Sequence, residues 1–181
     1  MTTTEHDLHP HVRLQPGDFP APVWLEPFAK KCAAALGLQA WKIDVWLEEH
    51  VYLSNDPEHE RPMGGSCEAR WQYLSADITL RYASVAEDTV GARGLVAHEF
   101  THVAFDGLDE FTNHMINMTI PGQWRKQNAQ TAWEIHREQM VERLGRRIAL
   151  LVSSWDGAED FAGMPDDEEP TDAGQPDPAV G

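Results

Sequence analysis

A chain of 181 residues with a formal net charge of −16 and no cluster of Lys or Arg offers no surface for nucleic acid or an anionic membrane. No window approaches the roughly eighteen apolar residues of a membrane span, and the opening residues MTTTEHDLHPH lack the apolar core of a signal peptide. The length suits one domain with tails, and two cysteines in no demanding spacing, Cys32 and Cys67, fit free thiols in a cytoplasmic protein.

In chain order, residues 1–20 are polar, carry His6, His9 and His11 among prolines, and read as a disordered leader. The folded domain is expected over 21–155. Pro22 or Pro27 opens a helix whose Trp24, Phe28, Cys32, Ala35 and Leu36 recur at helical spacing, with Gly37 as its C-terminal cap. Trp41, Ile43, Val45 and Leu47 alternate with polar residues as in a half-buried strand. Asp-Pro, Arg-Pro and Gly-Gly make 53–66 a loop. Two further strands follow, about 68–74 and 76–82, with a parity switch near Leu74 and Ser75 that requires a bulge or tight turn. The expected fold is α+β, with a small antiparallel sheet of about three strands. A helix runs from about Thr89 to Phe105 and stops at Asp106-Gly107; a short one follows over 109–120. Pro121-Gly122 breaks the chain before a long helix over 123–153, its apolar stripe formed by Trp133, Val141, Leu144, Ile148 and Leu151. Residues 156–181 hold nine Asp or Glu, no Lys or Arg and four prolines, the composition of a disordered acidic tail.

The chemistry concentrates in Gly94–Ala104, GLVAHEFTHVA, which contains H-E-x-x-H as His98, Glu99 and His102. On a helix, positions four apart share a face, so both imidazoles reach one metal ion. Glu99 is offset by one residue, beside the ion, where its carboxylate can take a proton from a water. Leu95, Val96, Phe100, Val103 and Ala104 make the flanks apolar. Two histidines and a glutamate there carry a desolvation cost that a metal partner offsets.

A third protein ligand is needed. Phe105 and Leu108 stand where a closely following glycine and histidine would be, which excludes that arrangement. Asp106 and Asp109 are near enough to serve as an aspartate variant. The long helix offers Glu134, Glu138 and Glu142, each one turn apart. Its apolar centre runs through Arg137, Val141, Leu144 and Ile148, which places Glu134 near the centre, Glu138 at the margin and Glu142 further round. Position alone thus favours Glu134, whereas Gly145 and Ala149 on the side of Glu138 would let the metal helix approach there.

The run His98-Glu-Phe-Thr-His102, followed some thirty residues later by Glu-Ile-His-Arg-Glu-Gln-Met-Val-Glu-Arg-Leu144, resembles the gluzincin zinc metallopeptidases, in particular the small single-domain minigluzincins and related proteins of prokaryotes and phages. The resemblance covers about residues 22–153 and implies a peptide-bond hydrolase with one zinc per chain. His98, His102 and Glu138 would be its ligands, Glu99 the general base and Glu142 the partner of a ligand histidine. The implied substrate is a peptide paired with an edge strand around Ala76 to Tyr82. His114, His136 and Tyr82 are candidates for stabilising the oxyanion. Two other readings are a metal-dependent regulatory protein that cleaves a single partner, and a domain that keeps zinc for folding alone. The latter needs four protein ligands and leaves Glu99 without a task.

Overall fold

The computed structural model describes residues 10–52 and 63–155; the acidic tail and most of the Pro- and Gly-rich loop lie outside the described residues. The chain order is β1 (His11–Leu14), α1 (Leu25–Ala35), β2 (Lys42–Glu48), β3 (Gly65–Arg70), a 3-10 turn (Trp71–Tyr73), β4 (Ser75–Arg81), α2 (Tyr82–Val85), α3 (Val90–Thr119) and α4 (Gln123–Ser154). The α+β class is as expected, but the sheet is not three antiparallel strands. It has four, in the order β1-β2-β4-β3, and only the β3–β4 pair is antiparallel.

The reason lies in where the chain crosses. β3, next in sequence after β2, lies at the far edge of the sheet and not beside β2. A tight turn then brings β4 back between them, parallel to β2. Leu74 makes that turn at φ 47°, and the side-chain parity switches there as the sequence requires. Alternation alone reports which face is buried, and it does so correctly: Ile43, Val45 and Leu47 of β2 and Ala76, Ile78 and Leu80 of β4 all face the helices. It carries no information on strand direction. The segment expected to be leader also contributes. His11–Leu14 pairs in parallel with β2 and buries Val12, a strand too short to stand out beside prolines and histidines.

Helix α1 closes as foreseen. Gly37, at φ +74°, lets the Leu38 amide reach the Ala33 carbonyl at 2.8 Å and its own amide reach Ala34 at 3.1 Å, which satisfies carbonyls that the helix end leaves free. Helix α3 begins where Thr89 Oγ1 accepts from the Ala92 amide at 3.1 Å. It does not stop at Asp106-Gly107, however, and continues unbroken to Thr119. A helical glycine costs only about 1 kcal/mol, and tertiary contacts outweigh it. The Trp71 ring lies over Gly107, and the Asp106 carboxylate accepts from the Trp71 amide at 2.9 Å. Asp109 holds Arg137 of α4 at 2.6 Å.

The core lies between the sheet's inner face and α1, α3 and α4, with Phe100, Leu25, Ile43 and Ile78 among its fully buried side chains. Arg93 ties the layers together through Asp88, the Ser153 hydroxyl (2.9 Å) and the Phe28 ring. On α4 the expected stripe is kept except for Leu151, which is exposed. Where α3 meets α4, Gly145 is buried with no room for a side chain, since a Cβ there would lie 2.9 Å from His98 Cα. Backbone would have to move to admit it.

Helix propensity alone makes Gly145→Ala stabilising by about 1 kcal/mol. Overpacking against the α3 backbone, typically about 1–3 kcal/mol, outweighs that, so Gly145→Ala should lower the denaturation midpoint. A raised midpoint in chemical unfolding would show that the two helices are not in contact here.

Candidate metal centre

The contact at Gly145 aligns two helical faces. Glu138, Glu142, Gly145 and Ala149 are spaced four, three and four apart and so lie along one side of α4; the last two are buried, Gly145 against the α3 backbone at His98, while the first two reach into a cleft. From α3, His98 and His102 project into the same cleft. Their Nε2 atoms are 3.1 Å apart, and Glu138 Oε2 lies 3.5 Å from His102 Nε2 and 3.9 Å from His98 Nε2. These three side chains form a group that can hold a metal ion. The donor separations suit a tetrahedral site, whose edge is about 3.3 Å for bonds of about 2.0 Å.

The surroundings fit a cation at the shared point. Glu142 Oε2 lies 3.1 Å from His98 Nδ1 and, as a carboxylate, accepts a hydrogen bond from its N–H, which leaves the Nε2 lone pair facing the point shared with His102 and Glu138. Burial holds the His102 pKa well below the ordinary imidazole value, with Glu138 partly opposing, so the ring is neutral and its lone pair is available. Converging lone pairs repel one another unless a cation sits between them.

Glu99 is 4 % exposed yet lines the cleft. Burial first, and the negative charge of Glu138 second, push its carboxyl up to about 7. Its place is secured by Gly65 of β3, where a Cβ would come within 2.8 Å of Glu99 Oε1. The Gly-Gly pair that reads as a loop signal therefore admits this carboxylate and starts a strand. Cys67, on the same strand, also lines the cleft. Burial, reinforced by Glu99 and other acids, raises its thiol pKa, and it stays a neutral thiol outside the ligand group. Cys32 is buried in the core, and both cysteines are free.

Of the other candidate ligands, Glu134 is exposed and lies outside the group. Asp109 is bound to Arg137 and to Trp133 Nε1, and Asp106 to the Trp71 amide. The three residues considered for oxyanion stabilisation are elsewhere. His114 and His136 are exposed, and Tyr82 is stacked on Phe19 at 4.7 Å. None of them lines the cleft, whereas Arg137 does. Arg137 is the cleft residue in contact with Glu138 that motif reading passes over. The available signal was an arginine at the centre of an apolar helical stripe, a position that needs buried acidic partners.

The cleft comprises two adjoining cavities of about 540 and 450 Å³ that share Met63, Gly65, His98 and Glu99. A larger one, about 690 Å³ between β1, α1 and Trp155, is lined by the basic side chains of Arg13, Lys30, Lys31 and Lys42 together with His11 and Asp44, and includes none of the His-His-Glu group. No protein-family model matches the chain, and no curated protein or solved structure is significantly similar to it. Among the described residues no helix is long and apolar enough to cross a membrane.

Metal titration should give one site per chain, abolished by His98→Ala or His102→Ala. Glu138→Gln should weaken binding far more than Glu134→Gln, because Glu138 faces the histidines and Glu134 does not. In a competitive chelator titration, a larger loss from Glu134→Gln would place the ligand one turn away.

Proposed function

We propose that this protein is a zinc-dependent metallopeptidase of gluzincin type. The observation that carries the reading is a buried glutamate, Glu99, held by Gly65 beside a His-His-Glu group that opens on a cleft. Two imidazoles and one carboxylate suit zinc, and three protein ligands leave a coordination position for catalysis, where a structural site would have four. When bound, zinc lowers the pKa of a water and polarises a carbonyl.

The remaining work falls to the chain's own side chains. Glu99 accepts the proton of the attacking water and delivers it to the departing amine, and a carboxyl pKa near neutrality suits a group that both takes and returns a proton. Glu142 fixes the His98 ring through Nδ1.

Substrate pairing moves from the strand first expected. β4 lies inside the sheet between β2 and β3, so its edges are used; β3 is the edge strand beside the cleft. The Arg81 amide donates to the Gly64 carbonyl at 2.8 Å. By the alternation of an antiparallel ladder, Gly65, Cys67 and Ala69 then turn their amides and carbonyls away from β4, which favours an extended peptide added as a fifth strand.

Cleavage of a diverse peptide library should occur with the zinc-loaded protein and be abolished by Glu99→Gln, which keeps the fold and the metal and removes only the base. Cleavage at the wild-type rate by a zinc-loaded Glu99→Gln protein would exclude Glu99 as the base. A zinc-loaded wild-type protein that cuts nothing would favour a metal-binding or regulatory role.

A further inference from the structure

We propose that Arg137 is a positioning residue that holds Glu138 with a single oxygen directed at the histidines. This rests on reading His98, His102 and Glu138 as a metal centre. A glutamate at a helix margin has free rotamers and two equivalent oxygens, so nothing in its sequence position fixes which one meets a metal. Here Arg137 Nη2 donates to Glu138 Oε1 at 2.8 Å, and Oε2 is left facing His102 and His98 at 3.5 and 3.9 Å. Consecutive residues on a helix do not face each other, so this contact is not a by-product of helical spacing. Both side chains turn toward the cleft to make it.

The arginine is itself held. Its Nη1 donates to Asp109 Oδ2 at 2.6 Å, and the other oxygen of Asp109 accepts from Trp133 Nε1 at 2.5 Å. Three residues of the α3–α4 seam thus form a strut ending on the ligand. Arg137 is only 25 % exposed, and a guanidinium withdrawn from water needs acidic partners. Asp109 alone would serve to join the helices; the second fork of the guanidinium is spent on the ligand. The planar fork addresses two carboxylates at fixed angles, which a lysine cannot do.

The test measures zinc affinity by chelator competition for the wild type, Arg137→Met, Arg137→Lys, Asp109→Asn, Glu138→Gln and the double variants Arg137→Met/Glu138→Gln and Arg137→Met/Asp109→Asn. Melting of each metal-free protein reports on folding separately. Arg137→Met should weaken zinc about 10–100-fold, the usual effect of losing a ligand's hydrogen-bond partner. Arg137→Lys should recover part of the loss. Asp109→Asn, at a residue that has no hydrogen bond to a histidine or Glu138 but holds Arg137, should weaken zinc in the same direction, and less in the Arg137→Met background. In the Glu138→Gln background, Arg137→Met should add nothing. Unchanged affinity in Arg137→Met overturns the proposal, as does an equal loss with and without Glu138, which would mean that Arg137 acts on the fold. If the wild type binds no zinc, the metal-centre reading fails and the proposal with it. Tight wild-type binding that ignores Arg137 overturns the proposal alone.

Discussion

The backbone contact between α3 and α4 at Gly145 is the constraint on which the rest of the cleft depends. His98 and His102 belong to one helix and Glu138 and Glu142 to the other, so their convergence is a matter of interhelical distance and register. With no side chain at Gly145, the α4 backbone comes against the Cα of His98 itself. Glu138 and Glu142 lie on the same side of α4, two turns and one turn away. A larger residue would move both carboxylates outward together, and a shift of about 1 Å is enough to spoil catalytic geometry. The sheet makes the second close approach. Gly65 admits the Glu99 carboxylate against β3, so glycines on two different elements set the positions of Glu99 and Glu138.

Charge within the seam is arranged to match. A cleft holding Glu99, Glu138, Glu142, Asp106 and Asp109 would repel itself apart without cations. Arg137 neutralises part of it from within, and Arg146 reaches Glu142 Oε1 at 2.7 Å, leaving its other oxygen for His98. Glu138 and Glu142 therefore each have one oxygen tied to an arginine and the other turned to a histidine. Such pairing compensates desolvation more than it adds net stability. Its use is directional.

Much of this was legible in the sequence because it is local. The spacing of His98, Glu99 and His102 is a property of one helix, and the burial of Ile43, Val45, Ala76 and Ile78 follows from strand alternation. The small residues Gly145 and Ala149 pointed to the side of α4 that meets α3. What was not legible depends on long-range packing. Alternation is blind to strand direction, so the parallel β2–β4 pair and the edge position of β3 could not be read from it. Asp106-Gly107 looks like a helix end until Trp71 is laid across it. Gly64-Gly65 looks like a loop until Glu99 is seen to need the space. Arg137 was visible as an anomaly, a charge at the centre of an apolar stripe, but its partner Asp109 is on another helix and its role required both.

The central claim is that α3 and α4 bring His98, His102 and Glu138 onto one ion with a position left open. The most direct measurement is a crystal structure of the zinc-loaded protein with an anomalous difference map at the zinc edge. The account predicts one peak at about 2.0–2.2 Å from His98 Nε2, His102 Nε2 and Glu138 Oε2, with a fourth, non-protein oxygen. A peak held by four protein side chains, or one located away from these residues, would contradict it.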